Sequence, residues 1–494
     1  MPADLSRRKL LQAVAAGAVV LGFDPISRSW VTEAHAGGRG PKPPKGPPSP
    51  LDRIPRLDGE LVVEASALAE AADDFGHVIS RTPLAVLRPG SVKDISRIIQ
   101  FAGAHGLKVA ARGQGHSTYG QPQVSGGIVV DMRVFDRIHA IGPGGAEVGA
   151  GVVWSDLIRA GIEAGVSVPV TTDYIELTIG GTLAIGGIGA QSPKQGLQVD
   201  NVLELEVVTG RGDVKRCSPR KDAHLFRSVL GGLGQFGIIT RAKLRTVAAP
   251  SHARFYVLDY QQLETFTADQ KRLILDGRFD GVQGSVVADG SGGWTFQLEA
   301  TKFFNAHRPP DDGRLLAGLS YDAGGATITD LPYFDWVNRL APLIEMLESL
   351  GAWGLPHPWF DMFVPASKVN AYMRGVLSEL TLADTGNGPV LLRPTLTRHQ
   401  TGTFAQLPDE PVVFLFDILR FAPPVPSEVQ RLLAQNRDFY DRAKRLGGKH
   451  YPMCAIELTQ RDWRDHFGRD WRDFQDAKRR YDPRNLLTPG QGIF

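Results

Sequence analysis

Two apolar runs, 107–111 and 128–130, flank a stretch that holds Gly113, Gly115 and Gly120 and few hydrophobic side chains. A short apolar run, a glycine-rich gap and a second apolar run predict strand, loop and strand. Just upstream, Ile95, Ile98, Ile99 and Ala102 recur at helical spacing, with Ser91 placed as N-cap and Asp94 at the capping-box position. A short strand is predicted at 82–89 and weak helix at 60–75. Further on, 154–158 starts a helix, 202–208 alternates as a strand and 223–230 is helical. Strand and helix therefore follow one another at α/β spacing through the first half. After Thr246 the texture changes. Alternating runs at 253–260, 281–290 and 294–304 give way to amphipathic helices at 336–350 and 368–380. Strands at 389–396 and 412–421 and a long polar helix at 427–446 follow. This second half reads as an α+β unit whose sheet covers a site built by the first.

The glycine loop carries the candidate chemistry. Glycines so spaced bring successive N–H groups close to an anion, and a pyrophosphate suits them. His116 stands between Gly115 and Ser117 in the middle of that loop. An imidazole there can ligate, act as a base or bond covalently to a cofactor, or it can be an ordinary solvated loop residue. A second glycine crowd, Gly180, Gly181, Gly186, Gly187 and Gly189, has no regular period and admits a large flat group against the backbone. Asp173, just before it, is either a turn cap or a working carboxylate. The string GGLGQFGIIT at 231–240 formally satisfies G-x-G-x-x-G. It follows a predicted helix and opens a strand, the reverse of a dinucleotide fingerprint, which excludes an NAD site there.

The strings ARGQGHSTYGQ at 111–121, SGGIVVDMR at 125–133, DYIELTIGGTL at 173–183 and GGLGQFGIITRAKL at 231–244 occur together and in order. With HPWFDMFVP at 357–365 and the C-terminal PGQGIF, they resemble the cytokinin dehydrogenases, flavoproteins of the vanillyl-alcohol-oxidase, PCMH-type class. The resemblance spans nearly all of 80–494. It implies a two-domain α+β fold, an FAD-binding domain under an antiparallel-sheet substrate cap, with FAD attached covalently through His116. It implies FAD contacts from Arg112, Gly113, Gly115, His116, Ser117, Gln121, Asp173, Thr178, Ile188, Ile239, Tyr451 and Gln491, and a catalytic Asp173 that meets the substrate amine. The implied reaction is oxidative cleavage of the N6 side chain of N6-alkenyl adenines, with quinone or oxygen as electron acceptor. Two strings depart from the family: a glutamate in its Phe-Asp-x-Val-Glu-Gly string is Gln283 here, and its Ser-Asn-Ala-Gly is Ala184-Ile185-Gly186-Gly187. Gln283, a substrate-facing position by the same resemblance, keeps open an oxidase of the same fold acting on a sugar, alditol or aromatic alcohol. A purine-binding or flavin-storage protein without turnover is the alternative outside enzymes. Trp359 and Phe360, read without the family, belong to the core.

Composition narrows the rest. Lys+Arg 55 against Asp+Glu 53 gives a net charge of +2, too small to recruit nucleic acid or an anionic membrane surface. Two cysteines, Cys217 and Cys454, cannot build a disulfide framework or a cysteine zinc site, and both read as buried small hydrophobes. Arg7-Arg8 ahead of an apolar run at 10–23, with Ala34-His35-Ala36 beyond it, predicts a twin-arginine export signal over 1–36 and a periplasmic or secreted protein; a basic N-terminal helix on a cytoplasmic protein is the alternative. The expected organisation is a signal at 1–36, a Pro/Gly-rich linker at 37–55, an FAD domain at 56–245, a cap at 246–446 and a return to the FAD domain at 447–494. No membrane span and a monomer are expected.

Overall fold

The computed structural model describes residues 20–24, 29–32, 50–322 and 324–494. The chain divides into two compact units, Met1–Ile54 and Pro55–Phe494. In the first, Val20–Asp24 pairs antiparallel with Ser29–Thr32. The twin-arginine pair, the Ala-x-Ala string and positions 37–49 of the linker lie outside the described residues.

In the second unit, a four-stranded sheet runs Glu60–Val62, Ala85–Arg88, Ile128–Asp131, Val109–Arg112, its last three strands parallel. Ile128–Asp131 is buried along its whole length, as suits a central parallel strand. The helix Val92–His105 buries Ile95, Ile98, Ile99 and Ala102 and ends at Gly106, whose φ of 68° stops it in the left-handed region. The expected capping box is absent. The Asp94 carboxylate instead accepts from the N–H groups of Asp58, Gly59 and Gly90, tying down the preceding chain, while Ser91 Oγ donates to Asp58. The weak helix expected at 60–75 is a strand, Glu60–Val62, and a helix, Ala65–Ala71. A five-stranded antiparallel sheet follows, ordered Val214–Cys217, Val202–Thr209, Gly237–Leu244, Gly145–Gly149, Ile138–Gly142. The string at 231–240 does follow a helix, Ala223–Val229, and open a strand.

The second half builds an eight-stranded antiparallel sheet around Trp294–Phe304, Gly281–Ala288, Val390–Leu396, Val412–Ile418 and Phe360–Pro365. Strand alternation sorts its two faces. Val282, Phe296, Leu298, Phe360, Met362, Leu392, Phe414 and Phe416 pack under the helices Leu263–Asp276, Val369–Leu377 and Pro426–Arg445 as the main core. The intervening positions Gln283, Ser285, Glu299, Asp361, Arg393 and Asp417 fall on the other face. The single helix expected at 336–350 is two, Tyr333–Val337 and Ala341–Ser349. Pro342 explains the break: a proline lacks the N–H and its ring clashes with the carbonyl four residues back, so it fits only a helix's first turn.

The C-terminal segment returns to the first sheet. Val109 N–H donates to Leu486 O and Thr488 N–H to Val109 O, each at 2.9 Å. Buried Lys478 secures this return by donating to Gln235 O, Gln235 Oε1 and Leu487 O and pairing with Asp482 at 2.8 Å. Cys217 and Cys454 are buried and free, as expected.

Candidate functional site

A cavity of about 480 Å³ opens between the glycine loop and the polar face of the eight-stranded sheet. Arg112, Gly113, Gly115, His116, Ser117, Gln121, Asp173, Thr178, Ile188, Ile239, Gln283, Tyr451 and Gln491, thirteen residues spread from position 112 to position 491, all line it. The loop leaves the buried end of Val109–Arg112. Among the described residues, the N–H groups of Gln114, Gly115, His116 and Ser117 find no hydrogen-bond acceptor, which leaves four successive donors beside the cavity. Such a run is an anion cradle. Close approach is built in: a Cβ on Gly113 would come within 2.0 Å of Thr178 Oγ1.

Behind the loop, Asp74 accepts from the N–H groups of Gly120 at 2.6 Å and Gly76 at 3.1 Å. Burial raises its pKa to about 7 against the lowering effect of those donors and of Arg112. His116 stacks on Phe75 with ring centroids 4.0 Å apart, and Phe75 stacks in turn on His357, also at 4.0 Å. Tyr174, Trp353 and Trp359 close the box around His116. Burial, with a smaller push from His357, lowers the His116 pKa to about 3, so its imidazole is neutral and keeps a free lone pair at ordinary pH. Trp359, read from the sequence as core, is buried and also forms the cavity wall; Phe360 is fully buried in the core as expected. Tyr451 reaches in from the C-terminal return, its hydroxyl accepting from Gly187 N–H at 3.2 Å.

Asp173 is no turn cap. It forms ion pairs with Arg339 at 2.5 Å and Arg393 at 2.9 Å. Burial pushes its pKa up, but Arg393 and Arg339 outweigh it and hold the carboxyl below its ordinary value. Arg393 also pairs with Asp417 at 3.1 Å, and Asp417 stands opposite Asp361 across two paired strands. Burial and the Asp417 charge push the Asp361 carboxyl well above the carboxylate range. Gln283 donates to Glu299 Oε2 and Ser285 to Glu299 Oε1, both at 2.7 Å; the carboxylate missing at 283 is thus present one strand away. Sequence reasoning overlooked Arg339, Arg393, Asp361, Asp417 and Glu299. The signal for the last four was a polar residue at each inward position of otherwise apolar strands; Arg339, between two helices, had none.

The cavity suits a flavin dinucleotide: the free N–H groups of 114–117 offer a pyrophosphate cradle, aromatic rings gather around His116 of the same loop, and no cluster of His, Cys, Asp or Glu among the described residues is fit for a metal. These features define a PCMH-type flavoprotein, an FAD-binding domain joined to a second domain that caps it. Two family models agree, the first being "FAD binding domain" over residues 83–218 and the second "Cytokinin dehydrogenase 1, FAD and cytokinin binding" over residues 287–494. An oxidoreductase of Rhodococcoides fascians, named as uncharacterized and encoded by ORF5 in the fasciation locus, is 40% identical over 86% of this chain and 96% of its own length. Cytokinin dehydrogenase 2 of Arabidopsis thaliana is 36% identical over 90% of this chain and 95% of its own length. Cytokinin dehydrogenase 4 of Oryza sativa is 36% identical over 89% and 90%. The chain belongs to the cytokinin dehydrogenase family and is an FAD-dependent oxidoreductase. Among the described residues no helix is long and apolar enough to cross a membrane.

Proposed function

We propose that this enzyme oxidises the secondary amine of N6-alkenyl adenines, the carbon–nitrogen single bond becoming an imine that water splits into adenine and an aldehyde. The observation that carries the reading is Asp173, a carboxylate buried in the wall of a flavin-sized cavity and ionised where an N–H donor would meet it. When bound, FAD supplies the two-electron oxidant. The N–H groups of the 114–117 loop would hold its pyrophosphate, Tyr451 and Gln491 would close the site from the C-terminal return, and His116 would be the point of covalent attachment. A neutral imidazole nitrogen is the form that can make such a bond, and burial keeps His116 in that form. Asp173 orients the substrate nitrogen, while Trp353, Trp359 and the leucines of the Ala341–Ser349 segment cover the ring and exclude water. Gln283 favours a second reading, oxidation of an alcohol in the same cavity, because a neutral amide stands where the family has a charge. The Arg7-Arg8 string and the apolar run behind it support export by the twin-arginine route.

Acid denaturation of the purified protein tests the tether. Yellow colour is expected to stay with the pellet, and His116→Ala to release it to the supernatant; colour released from the unsubstituted protein rejects covalent attachment. Assays on isopentenyladenine and on alditols separate the two substrate readings.

A further inference from the structure

A carboxylate that serves as a base should be free to accept a proton, yet Asp173 has both oxygens engaged by guanidinium groups. Oδ2 is held by Arg393 from the strand Val390–Leu396, and Oδ1 by Arg339, which sits in the break before Ala341–Ser349. The two holders differ in kind. Arg393 is buried in the sheet and braced from behind by Asp417, itself beside Asp361. Arg339 belongs to a covering segment whose helix has no buried residue.

We propose that Arg393 is a positioning residue that pins Asp173 through Oδ2, so that Asp173 acts as a fixed anion beside a substrate cation rather than as a base that takes the substrate's proton, with Arg339 holding Oδ1 until a substrate N–H displaces it. The inference rests on the reading of Asp173 as the carboxylate that faces the amine. The electron count is simple. The C–H bond next to nitrogen breaks and its electron pair leaves with the hydrogen as hydride to the flavin. The nitrogen lone pair makes the C=N bond, and the N–H proton stays, giving R–NH⁺=CH–R′. Water then adds at carbon, and collapse releases R–NH₂, the aldehyde and one proton. The new positive charge forms beside Asp173, and a preorganised anion stabilises it without reorganising. An alcohol makes the opposite demand, because its O–H proton must leave as the hydride departs, and a carboxylate still pinned by the Arg393 guanidinium is a weak acceptor. The arrangement therefore selects secondary amines over alcohols.

Besides the two arginines, the charged or titratable groups facing this cluster are Asp417, Asp361 and Glu299 from the sheet, Tyr451 and the Cys454 thiol from the C-terminal return, and Tyr174 with the neutral His116 from the flavin side. The raised Asp361 carboxyl keeps negative charge from accumulating behind Arg393.

The test uses the flavin-loaded enzyme with isopentenyladenine across pH, beside equilibrium binding of a saturated N6-alkyl adenine. Without Arg393 the buried Asp173 carboxyl titrates at higher pH, and the anion is lost as pH falls through that value. Arg393→Met is expected to add an acid limb to both kcat/KM and binding, falling about tenfold per pH unit below it, with Arg393→Lys largely restoring the original profile. Should Arg393→Met fail to fold, a variant also carrying Asp361→Asn and Asp417→Asn removes the charges Arg393 neutralises and is read the same way. Profiles that superimpose on those of the unsubstituted enzyme overturn the positioning role. Wild-type kcat in Asp173→Asn overturns the underlying reading of Asp173 instead, which keeps the two failures apart.

Discussion

Asp74 shows how one residue stores a pH dependence in the flavin loop. Its carboxyl is buried between Gly120, Gly76 and Arg112, and its pKa rises from 3.8 to about 7. The folded state therefore holds a proton that the unfolded chain has already released between these two values. Stability from this group is fully present below about pH 4 and is lost as pH climbs to about 7. The change amounts to roughly 4 kcal/mol, at about 1.4 kcal/mol per unit. Asp74→Asn should flatten that slope, leaving the variant the more stable of the two at pH 8. Urea titrations at several pH values measure this, and an unchanged slope would show that Asp74 is not its source. The same residue marks a limit of sequence reading. Asp74 lies 42 positions before His116, and only folding reveals that it holds the loop's Gly120 N–H from behind.

At the level of elements, the segment over the cavity is the least anchored part of the second half. The helix Ala341–Ser349 buries none of its residues, Leu350 beyond it is 71% exposed, and Arg339 is its charged attachment to the wall. Few buried contacts mean that local opening costs little. Arg339→Met is expected to speed amide hydrogen exchange in 341–349 several-fold while leaving the well-packed Val369–Leu377 helix unchanged, and mass-resolved exchange of the two peptides reads it. Equal exchange rates in the variant and the parent would rule out the attachment. Legibility also divides by element. The strands and helices with long apolar periods were visible in the sequence, and the order helix, glycines, strand at 231–240 was enough to refuse an NAD site. The helix Ile179–Ile185 was not visible, because seven residues containing two glycines carry no usable period. The break at Pro342 was missed because the apolar pattern runs straight across it. The glycine loop, His116 and Asp173 could be picked out through resemblance to a family. Arg339 and Arg393 could not, since their role depends on which strands become neighbours.

At the level of the whole molecule, distant parts of the chain hold the site together. Lys478 is buried with Asp482 as its charged partner and links the C-terminal return to Gln235 and Leu487. Removing one member of a buried ion pair typically costs about 3–5 kcal/mol. Lys478→Met should therefore lower the midpoint of thermal unfolding sharply and weaken retention of FAD, because Thr488 and Gln491 lie just beyond the tie and line the cavity. Differential scanning calorimetry, with flavin absorbance of the purified variant, checks both outcomes. Retention of full FAD content at an unchanged midpoint would mean that the return is held by its other contacts.

That return also sets a timetable. The chamber wall includes Arg112 and Gln491, so a nascent chain still on the ribosome has made the glycine loop long before the residues that close it. A polypeptide halted before position 491 would lack the last residue of that wall. A cavity with its full wall therefore exists only once translation has passed that point, and cofactor held by the complete wall arrives after it.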